Sequence, residues 1–141
     1  MENEKVRIRI SSYIKNLDGG MESDAEVSEL TPLASIREKD GCIFLSYEEN
    51  SEGGAVLCDI KVSEEKVTVL RRGAIESTMV FERGRVFKTI YKLPPYSFDM
   101  EIETVEVSCS ACLEDFALTI RYKMKIGGQD KFCRMKIKAE V

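Results

Sequence analysis

The sequence contains no histidine at all. That removes the Ser-His-Asp triad, the Cys-His dyad and any imidazole-ligated metal from the chemistry this chain can build alone. It has no apolar run of about 18 residues, so no membrane association is expected. It lacks a basic excess: 21 Lys and Arg stand against 25 Asp and Glu, a net charge of −4. Nucleic acid is therefore not the expected partner. The stretch Met1 to Lys5 is polar and has no apolar h-region, so no secretory signal is expected. No segment has the length and caps of a long helix.

The chain does have 43% hydrophobic residues in 141, enough for a core and for one domain spanning 1–141. It has five cysteines, Cys42, Cys58, Cys109, Cys112 and Cys133. An odd number of thiols without a signal fits free cysteines in the cytoplasm better than a disulfide framework. Cys42, Cys58 and Cys133 fall in strand patterns and read as small buried hydrophobes. Cys109 and Cys112 form Cys-x-x-Cys. A zinc site would need a second such pair, and a redox dithiol would need a helix N-terminus. Neither is present in the pattern, so the motif reads as a turn, and no metal or cofactor is expected.

The dominant hydrophobic period is two. Val6, Ile8 and Ile10 alternate with Lys5, Arg7 and Arg9. Pro32 breaks any long helix over Ala25 to Glu38, where Val27, Leu30, Leu33 and Ile36 allow a short helical reading, and the preferred reading is an irregular or bulged strand. Asp40-Gly41 is a hairpin signal. Beyond it Ile43, Leu45 and Tyr47 share one face and Phe44 the other. Asn50 to Gly54 reads as a polar loop. Val56, Cys58, Ile60 and Val62 alternate next, followed by strands at Val67 to Arg72, Ile75 to Phe81 and Val86 to Tyr91. Pro94-Pro95 marks a break. Met100 to Val107, Phe116 to Met124 and Phe132 to Val141 complete the series. About 8–10 short strands joined by turns predict an all-β fold, an antiparallel up-and-down β-barrel.

The order of these residues resembles the DUF1934 family. The resemblance rests on Phe44-Leu45-Ser46-Tyr47-Glu48-Glu49, then Ile60-Lys61-Val62, then Val67 through Arg71-Arg72-Gly73-Ala74, then Phe81 and Gly84. It continues through Tyr91 to Met100, Ile102 and Thr104, and into Ile120-Arg121-Tyr122. It implies a calycin-like, lipocalin-like barrel from a bacterial protein, in a family without an established activity. One stretch departs from it. Many members carry a Thr-Pro-Tyr-Gly-like turn where this chain reads Leu93-Pro94-Pro95-Tyr96-Ser97.

Arg71 is the residue that stands out. Alternation places it with Val67 and Val69 on the inner face, where a guanidinium needs a partner. It either binds an anionic head group inside the barrel or forms a structural ion pair. An unseen bulge at Gly73 would instead turn Arg72 inward. Glu49 shares parity with Leu45 and Tyr47, so it either answers Arg71 or meets solvent at its strand end. Tyr47, Tyr91 and Tyr122 either line a cavity or serve as core aromatics. Glu101 and Glu103 alternate with Met100 and Ile102, so they read as the wet face of a strand and not as an acid–base pair. Lys123, Lys125, Lys131, Arg134, Lys136 and Lys138 cluster in the last two strands as one positive stripe.

Two readings follow. The chain is a binding protein for a small, partly apolar, anionic molecule held in the barrel, with Arg71, Tyr47, Glu49, Tyr91 and Tyr122 as candidate ligand residues. Alternatively it is a protein or RNA interaction module with a plugged lumen. A homodimer is compatible with either. No catalytic residues stand out.

Overall fold

The computed structural model describes residues 4–17, 25–110 and 115–140. It contains β1 (Glu4–Asn16), β2 (Ala25–Leu30), β3 (Leu33–Lys39), β4 (Cys42–Ser51), β5 (Gly54–Val62) and β6 (Lys66–Gly73). β7 (Ser77–Glu82), β8 (Val86–Leu93), β9 (Tyr96–Ser110), β10 (Ala117–Ile126) and β11 (Gln129–Glu140) follow. One sheet holds them all in the order β7-β6-β5-β4-β3-β1-β11-β10-β9-β8, with β2 paired to β1 beside that path. The two end strands, β7 and β8, meet through a single bridge between Glu76 and Lys92. The result is a nearly closed antiparallel barrel, which leaves few free edges.

The described residues form eleven strands, against the 8–10 expected. The difference arises at Thr31-Pro32, which splits Ala25 to Glu38 in two. β2 and β3 pair with β1 in one continuous register, Ile10 with Leu30 and Arg7 with Leu33. Pro32 has no N–H to give, but its carbonyl still accepts from the Ile8 N–H at 3.1 Å. Three smaller expectations are also corrected. The loop expected over Asn50 to Gly54 shrinks to Glu52-Gly53, because the ladder runs on to Ser51 and Gly54. Cys42 is only half-buried, since it shares parity with the outward Phe44. Cys109 sits on β9, paired with Leu118, and not in a turn. Cys112 lies outside the described residues.

The inner face fills in rows. Across β4, β5, β6 and β7 the first row is Ile43, Val62, Val67 and Phe81, and the second is Leu45, Ile60, Val69 and Met79. Opposite them, Leu118, Ile137 and Ile10 form a row across β10, β11 and β1. These side chains are buried and close one end of the barrel. Burying each of the larger ones contributes roughly 1.5–3 kcal/mol. Phe44 points outward, where Arg37 and Lys61 lie over its ring, 4.8 and 5.7 Å from the centroid.

The β9 ladder slips once. Arg121 pairs with Glu106 but Tyr122 pairs with Thr104, so Val105 is an extra, exposed residue. This bulge lets Met100, Ile102 and Thr104 face inward on one side of it and Val107 on the other.

Candidate functional site

Above the two apolar rows the inner face changes character. The third row is Tyr47, Cys58, Arg71 and Ser77, cross-strand neighbours in that order. The fourth row holds Glu49 opposite Val56, and Val56 opposite Gly73. Gly73 has φ +115°, and a Cβ there would sit 2.5 Å from the Ala55 carbonyl oxygen. Only glycine fits, because the Ala55 backbone occupies the place a Cβ would take. The facing wall contributes Tyr122, Cys133 and Ile14 in one row, and Met124 beside Lys131 in the next.

These rows enclose a cavity of about 410 Å³. Its lining is mainly apolar, with Ile14, Met79, Met100 and Met135 among the contributors; its charged members are Arg71 and Glu49 from one wall and Lys131 and Arg134 from the other. The size lies within the range of small-molecule sites. On the β8–β9 hairpin the cavity residue Tyr91 pairs with Phe98, and Leu93 with Tyr96. Phe98 and Tyr96 stack at 6.5 Å and stay exposed.

Arg71 faces inward, as parity requires. Its side chain is 20% exposed, and its Nε lies 3.6 Å from Glu49 Oε1. Arg72 is the outward neighbour, 58% exposed, with a nitrogen 2.7 Å from Asp59 Oδ2. Among the described residues Glu49 is the one ion-pair partner of Arg71, and no side chain accepts a hydrogen bond from its guanidinium. Glu49 is half-buried and accepts the Cys58 thiol at 3.4 Å.

Burial alone would lower the Arg71 pKa, but Cys58, Tyr47, Glu49 and Tyr122 together outweigh it and hold the cation above its ordinary value. Burial raises the Tyr47 phenol, with Cys58 adding to the effect and Arg71 opposing it. Burial likewise raises Tyr122, Cys133 again adding. It also raises the Cys58 thiol despite Arg71. The Cys133 thiol is pushed up to about 11, mainly by burial. Both phenols and both thiols are therefore neutral near pH 7, so the charges of the cavity are the Arg71–Glu49 pair and, on the facing wall, Lys131 and Arg134.

Four of the five candidate residues, Arg71, Glu49, Tyr91 and Tyr122, line this one cavity. Tyr47 does not. It is buried beneath it, beside Cys58. Sequence reasoning did not single out Cys133, which lines the cavity, or Ser77, which neighbours Arg71. Neither residue stands out in an alternating pattern of small side chains. Glu101 and Glu103 lie on the outer face, Glu101 within 3.8 Å of the Lys88 ammonium. The positive stripe of β10 and β11 is flanked by β9 carboxylates: Lys123 pairs with Glu103, Lys125 with Glu101 and Arg121 with Glu106. Among the described residues no group of three or more Cys, Asp or Glu could hold a metal, and no helix is long and apolar enough to cross a membrane.

Fold and site together define a nearly closed antiparallel β-barrel, packed at one end and hollow at the other around a charged floor. The chain belongs to the DUF1934 family, a domain of unknown function, whose family model matches residues 8–138. It is 26% identical over 126 residues to the uncharacterized beta-barrel protein YwiB of Bacillus subtilis, covering 89% of this chain and 85% of that protein. The crystal structure of that YwiB protein superposes with a TM-score of 0.83, covering 99% of this chain and 94% of the other at 24% identity. This likeness carries the fold.

Proposed function

We propose that the barrel binds a small, partly apolar anion, with the anionic group at Arg71 and the apolar part in the cavity. The observation that carries this reading is Arg71 itself. A guanidinium has five N–H donors in a planar fork suited to carboxylate or phosphate. Here the fork lies in an apolar-lined cavity, with one carboxylate 3.6 Å from Nε and no direct hydrogen bond to it among the described residues. A purely structural Arg–Glu pair is ordinarily closed by direct hydrogen bonds. Tyr91 and Tyr122 present phenols to the same space, and Ile14, Met79, Met100 and Met135 supply apolar surface. Methionines adapt to ligands of irregular shape. The reading extends to one domain working in the cytoplasm, where thiols stay reduced.

Native mass spectrometry of the protein purified from its own host tests this reading. A discrete small mass should accompany the wild type and be absent from Arg71→Ala. A clean apo mass for both would contradict a held ligand and favour a module that works through its outer surface.

A further inference from the structure

We infer that Ser77 is the second donor of an oxyanion subsite formed with Arg71 at the seam between β7 and β8. This rests on the binding reading above and adds to it a residue, a head-group class and a route.

Three observations carry it. The first is the seam. β7 and β8 are joined by the turn at Gly84, yet the single bridge that closes them is Glu76, just before β7, with Lys92. The Glu76 N–H donates to Lys92 O at 2.9 Å and the Lys92 N–H to Glu76 O at 2.8 Å. Elsewhere no ladder is formed between the two strands. Outside the seam runs a groove of about 550 Å³. Most of its lining faces outward, but Arg71, Ser77 and Thr89 belong to the inward-facing set. The groove therefore reaches through the wall, and Arg71 borders both it and the internal cavity.

The second is Ser77. It is 5% exposed, and its Oγ has no hydrogen-bond partner among the described residues. A buried hydroxyl left unpaired costs about 1–3 kcal/mol, so it is kept where another group completes it. Ser77 is the direct cross-strand partner of Arg71. Such a pair has Cβ atoms about 5 Å apart, close enough for both side chains to reach one ligand oxyanion. The third is charge. Arg71, Arg72, Lys88 and Lys92 border the groove with one lining carboxylate, Glu76; Arg72 and Lys88 are also held by Asp59 and Glu101 from outside it. That balance draws an anion toward the opening.

The ligand class is therefore a molecule whose head presents at least two acceptor oxygens, one for the guanidinium and one for the hydroxyl. Carboxylates and phosphate monoesters share that chemistry. An alcohol or an amine does not.

Titration calorimetry with dodecanoate and with dodecyl phosphate tests the inference in the wild type, Ser77→Ala, Ser77→Thr and Arg71→Ala. Ser77→Ala should weaken whichever anion binds by about tenfold, the size of one hydrogen bond to a charged group, and Ser77→Thr should restore it. Tighter binding of one probe assigns the head group as carboxylate or phosphate. Ser77→Ala should also unfold at equal or higher urea concentration than the wild type, because it removes an unpaired buried hydroxyl. Anion binding undiminished in Ser77→Ala, or a lowered urea midpoint, would overturn the subsite while leaving Arg71 as the anchor. Wild-type binding that is absent, or unchanged by Arg71→Ala, would overturn the parent reading instead.

Discussion

Cys133 shows how one residue carries both packing and pH dependence. It is 1% exposed, and burial lifts its pKa from 9.0 to about 11. The unfolded chain then loses this proton before the folded one does. Its contribution is fully present below about pH 9 and is lost as pH rises toward about 11, roughly 2 to 3 kcal/mol in all. Cys58, also raised, acts with the same sign. Urea midpoints measured at about pH 8 and about pH 11 should fall steeply for the wild type and less for Cys133→Ala. Equal slopes would show that the thiol is not held neutral by the fold. That Cys133 is buried was legible from its place in an alternating strand. That it borders the cavity was not, because period two gives the face and not the depth along the barrel. Arg71 was legible for the same reason, since parity put it on the inner face. For Glu49 parity left two outcomes, answering Arg71 or meeting solvent, and the structure places it 3.6 Å from Arg71.

Strands and their partners form the next scale. Inner and outer faces of β4, β5, β6 and β10 follow directly from alternation, since one wet and one dry face fix the register. Three features did not follow. Pro32 interrupts a strand without changing its register, the Val105 bulge resets parity on β9, and β7 and β8 separate between their turn and one bridge. Each depends on which strand lies alongside, and local sequence does not contain that. The bridge makes a sharp prediction. Lys92→Pro removes the N–H that reaches Glu76 O, costing about 1–3 kcal/mol. Hydrogen exchange should quicken along the seam, at Glu76 and in β7, and stay slow in β10 and β11. An unaltered exchange pattern would mean that the bridge does not hold the barrel closed.

At the scale of the molecule, two ends of one barrel have different fillings. Bulky apolar rows close one end, while the other is hollow beside Arg71 and Glu49. The packing fills the rows from Ile43 and Leu45 across to Phe81 and Met79, and the facing row of Leu118, Ile137 and Ile10. The packed half supplies stability, and the hollow half is free to hold a ligand against a fixed charge. A matched pair of probes isolates that charge: dodecanoate and dodecan-1-ol share a tail and differ in the head group. Their affinities for the wild type and for Arg71→Ala, measured by titration calorimetry, form a closed cycle. If Arg71 anchors an anion in the cavity, the wild type prefers the acid by about tenfold or more, and the preference disappears in the variant. An acid preference of the same size in both proteins, or none in either, would contradict the account.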